Sequence, residues 1–225
     1  DLLDREELIR FEDLPMGAFV IFVSHQWNGF DHPDPKGVQI SCMVDTFRRL
    51  RDGDVDCISM GMFFFRFFLL IYIHTFYSNN TTTTTTTTTA PLHELTYAQS
   101  FNTKRDDLKT LFSNAYIWYD FWSQPQRASV DVSINSMGGY MERADCAMIL
   151  TPSTVHCDRK NAQTGRYEFT CYRTYRQRAL CVMEMFTSFL SRRKSYPMLL
   201  IRSARGMPMW ISPMESLRLA VGESK

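Results

Sequence analysis

The stretch Ala18-Phe19-Val20-Ile21-Phe22-Val23, running straight into Ser24-His25-Gln26-Trp27, constrains this chain more than any other. A strand with one wet face alternates apolar and polar residues. An unbroken apolar run rich in β-branched and aromatic side chains needs cover on both faces, which is the situation of a strand inside a parallel α/β sheet. In such sheets ligands lie beyond the carboxyl ends of the strands, so the polar tetrad stands where a site belongs.

The remaining pattern supplies the cover. After the proline-rich loop His32-Pro33-Asp34-Pro35-Lys36-Gly37, residues 38–51 carry Ile40, Met43, Val44, Phe47 and Leu50 at helical spacing. Residues 97–112, apolar toward their end at Leu108, Leu111 and Phe112, predict a helix leading into a strand at 115–119. That strand ends on Asp120, and Phe121-Trp122-Ser123-Gln124-Pro125-Gln126 reads as a loop of aromatic and amide groups. Residues 131–143 predict a helix weakened by Gly138-Gly139, and 144–150 a third strand. Residues 156–169 read as a polar surface loop. Residues 172–190 read as one helix with Leu180, Met183, Phe186, Phe189 and Leu190 toward the core, and 198–201 as a fourth strand. Strand and helix alternate, which predicts an α/β fold: a parallel sheet of four to five strands with helices on both faces.

Residues 60–90 break the pattern. An aromatic and aliphatic run at 62–77, interrupted by Arg66 and His74, is followed by an unbroken threonine tract at 81–89. A membrane span needs about 18 to 20 apolar residues, so this run is short and carries an arginine; membrane association is disfavoured unless 62–77 spans. The pattern before the segment resumes after it, as expected of an insertion into the fold such as an unspliced intron leaves. The organisation expected is a leader at 1–16, one domain at 17–210 interrupted by 60–90, and a tail at 211–225. A length of 225 residues suits one domain. With 25 basic against 24 acidic residues, the chain has no global field for nucleic acid. Its six cysteines form no CxxC pair, and no signal peptide opens it, which predicts a reducing, cytoplasmic setting. His156, Cys157 and Cys171 lack the paired spacing of a zinc site, so no metal is expected.

Three stretches in this order, FVIFVSHQW at 19–27, IWYDFWSQPQ at 117–126 and RALCVME at 178–184, resemble the Toll/interleukin-1 receptor (TIR) superfamily. They are also similar to fungal heterokaryon-incompatibility (HET) domains. TIR domains open with a strand running into Ser-His, here Ser24-His25. HET domains carry a Trp-x-Asp strand end and an amide turn, here Trp118, Asp120 and Gln126. Plant-type TIR domains have Trp-Cys-x-x-Glu on the helix after the third strand; here Leu180 replaces the tryptophan, and Cys181 and Glu184 keep the spacing. The resemblance implies a flavodoxin-like sheet of TIR type. It also implies cleavage of NAD between nicotinamide and ribose, with NAD as substrate, no bound cofactor and Glu184 as the catalytic carboxylate. Ser24, His25, Trp27, Asp120, Trp122 and Cys181 would line the substrate site. The loop at 121–129 would serve self-association, and a TIR-like module that only assembles is the alternative.

The residues admit plainer roles. Glu184 near a helix start reads equally as a solvated acid. Ser24 and His25, adjacent on a strand, point to opposite faces and cannot form a nucleophile and its base. Asp120 either meets a ligand or bonds its own turn. Trp118, within a strand, reads as core, and Cys181 as a small buried apolar group. A nucleoside-processing enzyme would need a second carboxylate near Glu184, for which Asp120 is the candidate.

Overall fold

The structure, a computed structural model, describes residues 8–55, 58–59, 105–123, 135–191 and 196–211. The expected insertion, the membrane alternative at 62–77, the start of the leader, Gln124 and Gln126, most of the 121–129 loop and the tail beyond Ile211 lie outside these residues.

Strand β1 (Phe19–His25) is central. It pairs in parallel with β3 (Ala115–Tyr119) on one side and with β4 (Cys146–Leu150) on the other. Beyond β4 lie β7 (Met198–Ile201), β8 (Met209–Ile211) and the two-residue β2 (Ile58–Ser59), giving the order β2-β8-β7-β4-β1-β3. The sheet is parallel except for the β7–β8 pair, which is antiparallel. Sequence pattern indicated neither β8 nor β2. Leaving aside the two-residue β2 at the far edge, the chain goes from β1 to β3 on one side and then to β4 on the other. This flavodoxin-like order puts the reversal, where ligands settle in such folds, at β1.

Both faces of the sheet are covered, as the apolar β1 demands. Phe19, Ile21 and Val23 meet helix α1 (Val38–Asp52) and helix α2 (Arg105–Ser113) through Cys42, Met43, Leu50, Leu108 and Phe112. On the other face, Phe22 packs with Met137 and Met141 of α4 (Met137–Arg143). Ala147 and Ile149 pack with Tyr175, Cys181 and Met185. Trp118 stacks on Phe22 at 4.5 Å, half-buried on the edge strand and packed against the core rather than within it.

Three expectations need correction. Residues 120–123 form a short helix, α3 (Asp120–Ser123), rather than the start of a loop. Residues 154–170 form a two-stranded hairpin, β5 (Thr154–Lys160) and β6 (Tyr167–Thr170), rather than a polar loop. The long helix at 172–190 is two helices, α5 (Tyr172–Tyr175) and α6 (Ala179–Leu190).

The facing of α6 is the larger correction. Leu180, Met183, Phe186 and Leu190 are exposed, while Cys181, Glu184, Met185 and Ser188 face inward; the side chain of Phe189 lies outside those described. Most residues of α6 are apolar, so periodicity alone does not select a face. The inward face is the one that offers Glu184 a partner on β1.

Candidate active site

Alternation along β1 sends its last two residues to different sides. Ser24, in phase with Phe22, points toward α6, and His25, in phase with Val23, points toward α1. Each meets its own acid.

On the α6 side, the Ser24 hydroxyl donates to Glu184 Oε2 at 2.5 Å. The Tyr175 hydroxyl stands 2.5 Å from the same Oγ and 3.3 Å from the Cys181 carbonyl. With the serine proton given to the carboxylate, Tyr175 donates to Ser24. Glu184 is only 9% exposed, so it is no solvated helix acid. Burial pushes its carboxyl up to about 7, against the Ser24 hydrogen bond and the charge of His25, with Asp120 adding to the rise. A carboxylate in this state holds or yields a proton near neutral pH, which is how acids at reactive sites are tuned.

On the α1 side, His25 Nδ1 lies 2.8 Å from Gln39 Oε1 and Nε2 lies 2.9 Å from Asp120 Oδ1. Gln39 Nε2 donates to the Gln26 carbonyl, which orients its oxygen toward the ring. Both ring nitrogens therefore face acceptors, the arrangement of an imidazolium. Burial opposes the charge, but the hydrogen bond and charge of Asp120, with Glu184 and Gln39, prevail and raise the His25 pKa. For Asp120 burial opposes ionisation, and the His25 hydrogen bond and charge overcome it and lower its pKa. Trp27 Nε1 donates to Asp120 Oδ2 at 2.8 Å, and the Phe121 N–H donates to Oδ1. Both Asp120 oxygens are thus engaged, tying it to His25, Trp27 and the Phe121 N–H, while its charge still acts on Glu184. Tyr119 stacks on His25 at 4.4 Å, and Trp122, 41% exposed, packs on Tyr119.

Cys181 sits between the two halves, its Sγ 3.6 Å from the His25 carbonyl. Burial, with Glu184 adding, pushes its thiol up to about 12, so it is a neutral packing group at physiological pH. The structure thus brings Ser24, Tyr175 and Glu184 into one group and His25, Gln39, Trp27, Asp120 and Trp122 into another, both at the carboxyl ends of β1 and β3.

Two members were not anticipated. Gln39 had a signal: it lies on the same helical stripe as Met43, Thr46 and Leu50, all buried, and an amide on a core stripe asks for a partner. Tyr175 had none, because it lies on a four-residue helix too short to show a period. No group of three or more potential metal ligands occurs among the described residues. No helix among them is long and apolar enough to cross a membrane.

The fold and the site define the class as a flavodoxin-like α/β domain with a buried acid at its strand-order reversal. Comparison with protein-family models, with curated proteins and with solved structures finds no match to the chain.

Proposed function

We propose that this domain is a TIR-like signalling module that hydrolyses NAD to nicotinamide and ADP-ribose, with Glu184 as its catalytic carboxylate. The observation behind this reading is the pairing of buried Glu184 with Ser24 at the carboxyl end of β1. Breaking the nicotinamide–ribose bond leaves the electron pair on neutral nicotinamide and develops positive charge on the ribose. A carboxylate of low solvent exposure stabilises that charge far better than one in water. Water then adds to the ribose carbon and loses its proton to the medium. In this reading ionised Glu184 meets the ribose, while His25 with Asp120 keeps the end of β1 in place, and Trp27 and Trp122 stand with that second group.

The test is nicotinamide release from NAD by the purified full chain at high protein concentration, beside Glu184→Gln. Release by the wild type that is lost in a folded variant supports the reading. Release equal in both, or none from a folded and self-associated wild type, overturns it.

A second reading, an assembly module without catalysis, rests on the outward face of α6. Leu180, Met183, Phe186 and Leu190 form an exposed apolar stripe on one helix, a pattern typical of interaction surfaces.

A further inference from the structure

A cavity of about 600 Å³ opens beyond the carboxyl ends of β4 and β7, on the α1 face of the sheet. Glu184 meets β1 from the opposite face, so this cavity is a separate place. Its polar lining is Lys36, Arg202, Ser41, Ser153 and Ser203, and among the described residues no carboxylate lines it. Two cations and three hydroxyls therefore face the same volume. Val38 and Pro152 add apolar wall.

The walls are held by bonds independent of any ligand. Arg49 donates to the carbonyls of Ala204 and Gly206, tying the loop after β7 to α1. The Thr151 N–H donates to the Ile201 carbonyl, holding the loop after β4 beside it. Asp34 accepts from the Val38 and Ile40 N–H groups, and the αL conformation of Gly37, φ 67°, carries the chain from Lys36 into α1. Because Asp34 already caps α1, the attraction for an anion comes from Lys36 and Arg202 rather than from the helix end. Cys42 brings no charge, since burial pushes its thiol up to about 11.

We propose that this cavity binds an organic phosphate, its phosphoryl oxygens held by Lys36, Arg202 and the serine hydroxyls and its organic part resting on Val38 and Pro152. An arginine and a lysine with hydroxyl donors suit phosphate oxygens, and the volume falls in the range of small-molecule sites and exceeds what phosphate alone would fill.

The test is calorimetric titration of the full chain with adenosine monophosphate, ribose 5-phosphate, inorganic phosphate and adenosine. Lys36→Ala and Arg202→Ala are run beside the wild type. Lys36 and Arg202 are exposed, so both variants should fold. The expected result is binding of at least one phosphate ester, weakened about tenfold or more in each variant, as loss of a charge-assisted hydrogen bond implies. Adenosine binding as tightly as its phosphate, variants that bind as well as the wild type, or no binding of either ester overturns the site. Inorganic phosphate binding as tightly as the esters overturns the organic part of the assignment.

Discussion

The hydroxyl of Ser24 donates to the carboxylate of Glu184, 160 residues further along the chain, and through this bond β1 and α6 close around a buried acid. The neighbouring His25 turns to the other face of the sheet and pairs with Asp120. Two consecutive residues thus serve two charge systems separated by the backbone of one strand.

The Glu184 group makes stability depend on pH. Its carboxyl lies at about 7 in the folded chain against an ordinary 4.5. Between those values the folded state holds more protons than the unfolded one, so stability falls as pH rises through that window, by roughly 3 kcal/mol in all. Glu184→Gln removes the titration. Urea midpoints measured from pH 4.5 to 6.5 should decline in the wild type and stay nearly level in the variant; parallel slopes would show that Glu184 titrates normally.

Ser24→Ala takes from Glu184 its charge-assisted hydrogen bond. The expected cost is about 1.5–3 kcal/mol at pH 8, where Glu184 is ionised. At pH 5 the carboxyl is protonated and the cost should be smaller. Chemical denaturation at both values checks the difference, and an equal cost at both would mean that Ser24 acts through packing alone.

Asp120→Asn leaves the His25 imidazolium without its counter-charge. His25 is buried and Asp120 largely so, and loss of one partner of such a pair costs roughly 3 kcal/mol. The raised His25 pKa contributes stability present below its ordinary 6.5 and lost as pH rises through its folded value. The lowered Asp120 pKa contributes stability present above its ordinary 3.8 and lost as pH falls through its folded value. In the variant, the imidazole resonances of His25 should titrate at lower pH than in the wild type. An unchanged titration would break the link between the two.

Phe186→Lys tests the outward face of α6. Phe186 is 45% exposed, so the melting temperature should barely move, with a change in stability within about 0.5 kcal/mol. Under the assembly reading, the mass found by light scattering at high concentration should fall toward that of one chain. An unchanged mass would remove this face from the interface.

How much of this was legible depended on contrast within each stretch. The strands β1, β3, β4 and β7 stand out because their apolar runs are bounded by polar residues or proline. The α1 pattern was equally clear as a helix, although its stripe was read through Ile40 and Val44 while Gln39, Cys42 and Thr46 are the residues buried beside Met43 and Leu50. The β5–β6 hairpin was not, because most of its residues are exposed and backbone pairing, which any side chain permits, holds it together. On α6 the ambiguity came from abundance: Cys181 and Met185 suit the core no better than Leu180 and Phe186.

The sequence by itself determined that the chain forms a sheet covered on both faces and that Ser24, His25 and Asp120 stand at its strand ends, since period and polarity are local properties. Only the tertiary structure decided which acid each residue meets. A buried carboxylate needs a hydrogen-bond donor, and whether Glu184 finds one depends on how α6 rotates against β1, to which residues far apart in the chain contribute.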